Sequence, residues 1–173
     1  MKIKSVESIV KSNRNIQIKV GPEGVQWLGD GSAFYPLHGF PVLGEETIFR
    51  FFDIPEDKQG KYTYTEGEFP EWADLEDFSK SDRMLERSEI RILASGMKLL
   101  PLFTGNRVYF IDERYLTPFS DEENGVELYE RRWSTSIVIA VKIGFLLAGI
   151  IAPVRMESDK LMEIVKRMVD EDV

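Results

Sequence analysis

The sequence predicts one α+β domain of antiparallel sheets and helices, in which a unit of one helix and several strands occurs twice. Two observations predict this class. Short segments that alternate apolar and polar residues indicate half-buried strands, and short amphipathic stretches precede two groups of them. The chain has 173 residues, the size of one domain. Such a chain buries well over half of its unfolded surface and needs no metal or disulfide to fold.

The first predicted unit spans residues 2–37. Apolar residues recur at helical spacing after Ser5, a residue suited to cap a helix N-terminus. Strict alternation then indicates a half-buried strand, and turns rich in Gly and Pro separate it from two more strands. In chain order the predicted elements are an optional strand at 2–4, a helix at 5–13 and strands at 15–20, 25–28 and 32–37.

The second predicted unit spans residues 107–154 and has the same order of elements. A strand leads into Asp112, which is suited to cap a short helix, and Pro118 shortens that helix. The predicted elements are a strand at 107–111, a helix at 112–119 and strands at 126–130, 137–143 and 145–154. We expect the two units to pack as related halves around one apolar interior.

The apolar run at 137–154 could form either a membrane helix or two buried strands. It is rich in β-branched residues, Gly144 interrupts it, and Lys142 would be costly at the centre of a bilayer. A spanning helix also needs about 20 apolar residues. The run therefore predicts two strands. The chain has no cysteine and its first residues lack a signal-peptide pattern, so we expect a protein of the reducing cytoplasm without membrane embedding.

Residues 38–106, between the units, are predicted to be an inserted, irregular region. Stretches of apolar periodicity within it predict only local elements. These are a helix at 45–54, ended by Pro55, and strands at 61–66 and 90–103. The predicted domain covers 1–156, and an amphipathic helix at 158–169 is predicted within the tail 157–173.

The net charge of −8 is concentrated in residues 45–89, which carry fourteen acidic and six basic side chains. A protein that binds nucleic acid over its whole surface would be basic instead. A local basic lining stays open as a nucleic-acid site, because Lys4, Lys11 and Arg14 lie on or beside the first predicted helix. The acidic residues that flank the second helix would repel phosphates and disfavour DNA encirclement; they are Asp112, Glu113, Asp121, Glu122 and Glu123.

No residue pattern indicates catalysis. His38 is the only histidine, and because no G-x-S-x-G motif presents a serine, a turn residue is the better interpretation. A group of nearby acids, at Asp53, Glu56 and Asp57, fits a solvated helix end better than a metal site. We predict no catalytic residue, no metal and no cofactor. An enzyme of unrecognised type, supported only by the many carboxylates, is kept as an alternative.

Segment 66–77 holds six acidic residues interspersed with aromatic ones. The favoured interpretation is a solvated loop whose aromatic side chains pack on the core. The alternative is that the chain is an acidic DNA-mimic or inhibitory protein that acts through 66–77.

Three segments share a pattern with a known family. Residues 108–116, Val-Tyr-Phe-Ile-Asp-Glu-Arg-Tyr-Leu, are followed by Gly-Val-Glu-Leu-Tyr at 125–129 and by Ile-Ile-Ala-Pro-Val-Arg-Met at 150–156. This pattern resembles the bacterial DNA sliding clamp, the β subunit of the replicative polymerase. The resemblance covers residues 107–156, and residues 2–37 by pattern alone. The chain is also similar to uncharacterised prophage proteins.

The resemblance implies a clamp-like domain of two β-α-β-β-β units, acting as a non-enzymatic binding module in DNA replication or phage biology. It implies that the end of the last strand lines an apolar groove for a protein partner or linear peptide motif, where Arg155 holds a carboxylate or carbonyl. The implied peptide-binding residues are Ile151, Ala152, Pro153, Val154, Arg155 and Met156. Because rings of this family hold six domains, a homo-oligomeric ring would need six copies; a single-copy adapter is the alternative.

Overall fold

The computed structural model describes residues 1–122 and 125–155. The helices are α1 (Ile3–Asn13), α2 (Glu45–Phe51) and α3 (Glu56–Gln59), with 3₁₀ helices at Pro22–Gly24 and Glu113–Phe119. The strands are β1 (Asn15–Val20), β2 (Gln26–Gly29), β3 (Ala33–Pro36), β4 (Thr63–Glu68), β5 (Arg83–Met84), β6 (Glu86–Arg87), β7 (Ile92–Ala94), β8 (Met97–Thr104), β9 (Arg107–Asp112), β10 (Val126–Trp133), β11 (Ser136–Ile143) and β12 (Leu146–Ile151). The predicted tail helix at 158–169 lies outside the described residues.

Eight strands form the main sheet, in the order β4-β1-β2-β3-β12-β11-β10-β5. Neighbouring strands are antiparallel except β4, which runs parallel to β1. The mixed α and β character is confirmed, but the prediction of purely antiparallel sheets is wrong at this edge. The chain between β3 and β4 crosses through α2 and α3, and a crossover of this length allows a parallel return.

The main sheet joins the two predicted stretches through β3 and β12. Ala33 pairs with Ile151 in this register, and Phe34 with Ile150. One helix precedes each set of three strands, α1 before β1-β2-β3 and the 3₁₀ helix Glu113–Phe119 before β10-β11-β12. These two helices contact each other, and the Lys2 N–H donates to the Pro118 carbonyl over 2.7 Å. Residues 2–37 and 107–154 therefore share one apolar interior.

The helix-bearing face of the main sheet carries the larger core. Its buried side chains come from alternate positions of the strands, as period-two burial requires. They include Ile16, Ile18, Leu28, Tyr35, Leu128, Ile139, Val141 and Ile151 from the sheet, and Val6, Ile9, Val10, Ile48, Phe49, Tyr115 and Phe119 from the helices. The apolar run at 137–154 is thus two strands, as predicted, and no helix in the described parts of the chain is long and apolar enough to cross a membrane.

A second sheet closes the core from another side. Strand β8 pairs with β6 and β7 along one edge and with β9 along the other. Leu100, Leu102 and Ile111 from β8 and β9 join the main core. Residues 38–106 are therefore more regular than predicted, because they supply most of this sheet as well as β4 and β5, the two edge strands of the main sheet.

Several boundaries differ from the predicted ones. Helix α1 begins at Ile3, so Ser5 lies inside it and is not the N-cap, and residues 2–4 form no strand. The contact of Lys2 with Pro118 sets this start, which a local pattern does not reveal. Strand β4 begins two residues later than predicted, because the N–H groups of Lys61 and Tyr62 still close turns. The last strand ends at Ile151, short of the predicted 154.

Candidate functional site

A segment that we call the strap, residues 69–82, covers the face of the main sheet opposite α1. The Phe69 ring packs edge-on against Trp27, Phe34 and Trp133, with ring centroids 5.3–5.9 Å apart. These aromatic side chains belong to a second apolar cluster, separate from the main core. The prediction that aromatic residues of 66–77 pack on the core is confirmed for Phe69. Trp72 also packs edge-on against Trp133, with ring centroids 6.0 Å apart, but it stays 56% exposed.

Arg131 of β10 anchors the strap. Its side chain is fully buried, and its Nε and Nη2 atoms donate to the two carboxylate oxygens of Asp82 over 2.7 and 2.8 Å. Its Nη1 atom donates to the carbonyls of Asp74 and Glu76 over 3.2 and 2.6 Å. A bidentate, charge-assisted contact of this kind fixes geometry as well as adding energy. The strap is therefore held on the sheet at both its middle and its end.

Lys142 of β11 completes the anchor. Its Nζ atom lies 2.7 Å from Asp82 Oδ2, and the residue is only 5% exposed. The same ammonium lies over the rings of Phe78 and Tyr129, 5.1 and 4.6 Å from their centroids, in cation–π contact. The one charge in the apolar run thus faces the strap. Burial raises the pKa of the Asp82 carboxyl, but hydrogen bonds from Arg131 and Lys142 outweigh burial and hold it below its ordinary value.

Three large apolar side chains are exposed beside this anchor, and we call them the shelf. Phe78 ends the acidic part of the strap, Phe145 lies in the turn between β11 and β12, and Leu146 begins β12; their exposed fractions are 70%, 77% and 64%. The rings of Phe78 and Phe145 pack together with centroids 6.2 Å apart. The buried Lys142 contacts the Phe78 ring and so fixes the position of this part of the shelf.

A cavity of about 250 Å³ opens next to the shelf. Apolar side chains and three carboxylates line it, together with the only histidine. The lining residues are Pro22, Glu23, Val25, Trp27, His38, Leu75, Glu76, Asp77 and Leu147. Asp77 joins the cavity to the shelf, because its Oδ1 atom accepts a hydrogen bond from the Leu147 N–H over 2.7 Å. Both residues are chain neighbours of shelf residues.

The basic residues predicted to meet nucleic acid are not assembled into a strong positive surface. Lys4 and Arg14 are exposed at opposite ends of α1, and the Lys11 ammonium pairs with Glu7 at 2.5 Å. On the second helix, Glu113 pairs with Arg91 and Lys98, which neutralises one of the five acids expected to repel phosphates.

The predicted peptide-binding residues run from the main sheet to the second sheet. Ile151 is buried at the end of β12, Ala152 and Arg155 are exposed, and Pro153 and Val154 are half-buried. The Ala152 and Val154 N–H groups both donate over 2.7 Å, to the carbonyls of Ser32 and Phe110 respectively. The backbone donors of this stretch are thus used within the chain. Met156 lies outside the described residues, and the groove stays a prediction.

His38 occupies a surface turn after β3 and is exposed, as its sequence setting predicts. Asp53, Glu56 and Asp57 are also exposed, at the ends of α2 and α3. In residues 1–122 and 125–155, no three histidine or acidic side chains come together as a metal site requires.

Several residues of the strap, shelf and cavity were not found from the sequence. Lys142 gave a signal, as a charge inside an apolar run. Phe145 and Leu146 gave another, because two large apolar residues directly follow Gly144 at a turn, where polar residues are usual. The sequence around Trp27 gave no such signal, because the burial of its side chain depends on Phe69, which lies far along the chain.

None of the family models, characterised proteins or solved structures with which the chain was compared matches it. The candidate site is therefore defined by its own contacts: a strap anchored by Arg131, a shelf built on Phe78 and a cavity that Trp27 lines.

Proposed function

We propose that this chain is a non-catalytic binding module that engages protein partners through the shelf. One observation carries the proposal: the exposed rings of Phe78 and Phe145 pack against each other, exposed Leu146 follows Phe145 in the chain, and Lys142 contacts the Phe78 ring. Each large apolar side chain forgoes about 1.5–3 kcal/mol while it is in water. A partner that covers the shelf recovers that free energy. Contiguous apolar patches rimmed by polar residues mark such interaction sites.

The charges around the shelf favour a basic partner over a nucleic acid. Glu71, Glu76 and Asp77 are exposed on the strap, and residues 45–89 carry a net charge of −8. Phosphates would be repelled from this surface. On the helix-bearing surface, the pairing of Lys11 with Glu7 removes one of the few cations available to a DNA backbone.

A clamp-like body in DNA replication or phage biology is part of the same proposal. It is supported by the resemblance of residues 107–156 to the bacterial sliding clamp, and by the helix that precedes three antiparallel strands on each side of the β3–β12 pairing. We propose a single-copy adapter and not a six-copy ring, because β4 and β5 occupy the outer edges of the six central strands.

A DNA-mimic function through 66–77 is the second candidate, and its acids are only partly available for it. Asp77 accepts a hydrogen bond from the Leu147 backbone, and the Asp74 carboxylate lies 3.7 Å from the buried Arg131 guanidinium. Glu66, Glu68, Glu71 and Glu76 stay exposed. If mimicry is the function, neutralising these four residues abolishes partner binding while shelf substitutions leave it unchanged.

An array of random short peptides with spots of duplex DNA tests the proposal. The labelled full chain should be retained by peptides and not by DNA. The double variant F78S/F145S should lose at least tenfold of this retention. L93S is the matched control, because Leu93 is 83% exposed on the second sheet, away from the shelf. Retention that survives in F78S/F145S, or stronger retention by DNA than by peptides, would contradict the proposal.

A further inference from the structure

We propose that the cavity beside the shelf binds one basic side chain, lysine or arginine, of the partner's segment, while the shelf covers the apolar residue next to it. This inference rests on the proposed function and specifies its ligand. The cavity volume of about 250 Å³ lies below the roughly 300–1,000 Å³ that is typical of small-molecule pockets. It therefore suits a single side chain better than a free metabolite.

The electrostatics of the cavity favour a cation. Glu23, Glu76 and Asp77 bring three carboxylates to its lining, and none of them forms an ion pair with another described residue. All three residues are exposed at the rim of the cavity, and carboxylates beside a partly enclosed space interact more strongly with a cation than carboxylates spread over open surface. The only cationic side chain that the lining could supply is His38.

The indole of Trp27 provides an independent indication of a ligand. Trp27 is 4% exposed and lines the cavity, yet its N–H donates to none of the described residues. The comparable indole of Trp133 donates to the Asp74 carbonyl over 3.0 Å. Gly21 keeps the space beside the Trp27 nitrogen open, since a Cβ atom there would come within 2.9 Å of it. The Trp27 nitrogen is not one of the buried side-chain atoms that lack a partner, so its N–H reaches solvent and is available to an acceptor, such as the peptide carbonyl next to a basic residue.

The remaining lining matches the stem of a basic side chain. Val25, Leu75 and Leu147 present apolar surface to the cavity, and the methylene groups of lysine or arginine pack on such surface while their charged end reaches carboxylates. The cavity adjoins the shelf through Asp77 and Leu147. Adjacent residues of one extended segment can therefore occupy the two together.

The peptide array also tests this inference, when the sequences of the retained peptides are compared. Peptides held by the wild-type chain should be enriched in lysine or arginine next to a large apolar residue. In E23Q/E76Q the preference for the basic residue should fall roughly tenfold, whereas the preference for the apolar residue should stay. E86Q/E89Q is the matched control, because it removes the same charge from two exposed acids outside the cavity. Asp77 is left unchanged because it holds the Leu147 backbone.

The outcomes separate the inference from the proposed function. Retained peptides without basic enrichment, or enrichment unchanged in E23Q/E76Q, would overturn the cavity assignment, and the proposed function would stand if F78S/F145S still abolished retention. Equal loss in E86Q/E89Q would overturn it too, because the effect would then be one of net charge. If no peptide is retained by the wild-type chain, both fail.

Discussion

Arg131 and Asp82 form a bidentate ion pair that joins β10 to the end of the strap, with N–O distances of 2.7 and 2.8 Å. Arg131 is fully buried, and Lys142 donates to the same carboxylate. Such a cluster adds little net stability over apolar residues of the same shape, but removal of one member leaves an uncompensated buried charge. Among the described residues, Asp82 is the only carboxylate that contacts both cations at hydrogen-bond distance, so its loss should be the most damaging change at this cluster.

The substitution D82N should destabilise the chain by about 3–5 kcal/mol, because two buried cations would lose their counter-charge. Urea denaturation followed by circular dichroism measures this change in the free energy of unfolding. E86Q, an acid-to-amide change at an exposed position of β6, should stay within about 0.5 kcal/mol of wild type. If D82N is as stable as E86Q, the ion pairs of Asp82 with Arg131 and Lys142 do not stabilise the fold.

The same carboxylate should make the fold sensitive to acid. Because hydrogen bonds from Arg131 and Lys142 outweigh burial and lower the pKa of Asp82, the folded chain binds this proton less tightly than the unfolded chain. The stabilisation is complete above the unfolded-state pKa of about 3.9, and it is lost as the pH falls from there through the lower folded-state pKa. Urea denaturation across this pH range should give a smaller pH slope for D82N than for wild type. Equal slopes would contradict the assignment.

Local patterns were enough to predict some elements of the fold. Strand β1 has its predicted bounds because Ile16 and Ile18 alternate with polar residues, and alternation is a property of neighbouring residues. The Asp112 cap is also confirmed, since its carboxylate accepts from the Arg114 N–H over 3.1 Å. The parallel pairing of β4 with β1 joins residues far apart in the chain, and nothing in either segment alone indicates it.

The candidate site was harder to predict than the fold for the same reason. Lys142 could be recognised as an unusual charge, but its partner Asp82 lies in a segment whose own pattern is poor. The acidic strap predicts a solvated loop until Arg131, in a distant strand, is known to hold its carbonyls. The family resemblance points to residues 151–156, whereas the exposed apolar side chains of the shelf belong to other segments.

Gly29 should not tolerate a methyl group. A Cβ atom at this position of β2 would lie 1.9 Å from the Ala33 carbonyl oxygen across the hairpin, so the backbone itself would have to move. G29A should therefore destabilise the chain by about 3 kcal/mol, the upper end of typical overpacking costs. G60A is the control, because nothing lies within 4 Å of its Cβ position and its φ of −60° suits alanine. The melting temperature of G29A should fall by several degrees, whereas that of G60A should stay the same or rise slightly. Equal melting temperatures for the two variants would contradict the clash.

The hydroxyl of Tyr35 should be needed where the two helix-and-strand units meet. It donates to the Tyr115 carbonyl over 2.8 Å, and Tyr35 is fully buried. Y35F would remove this buried hydrogen bond, at a cost of about 1 kcal/mol. Y64F, which removes a surface hydrogen bond to Glu66, should cost no more than about 0.5 kcal/mol. Equal unfolding free energies for the two variants would show that the Tyr35 contact adds nothing between the units.

The chain should be a monomer in solution, because each edge of the main sheet discourages pairing with a second copy. On one edge, the Leu85 N–H donates to the Leu128 carbonyl and Arg87 to the Val126 carbonyl, so β10 is already covered. On the other edge, β4 exposes Glu66 and Glu68, and charged side chains oppose strand pairing.

Light scattering should therefore give the mass of one chain, 20.0 kDa. The variant E66V/E68V should shift toward higher mass as its concentration rises, because an uncharged, β-branched edge strand is free to pair. E45Q/E46Q, which removes the same charge from two exposed acids of α2, should stay monomeric. A wild-type mass near six chains would instead favour the ring that the sliding-clamp resemblance implies, and would show that neither edge is blocked.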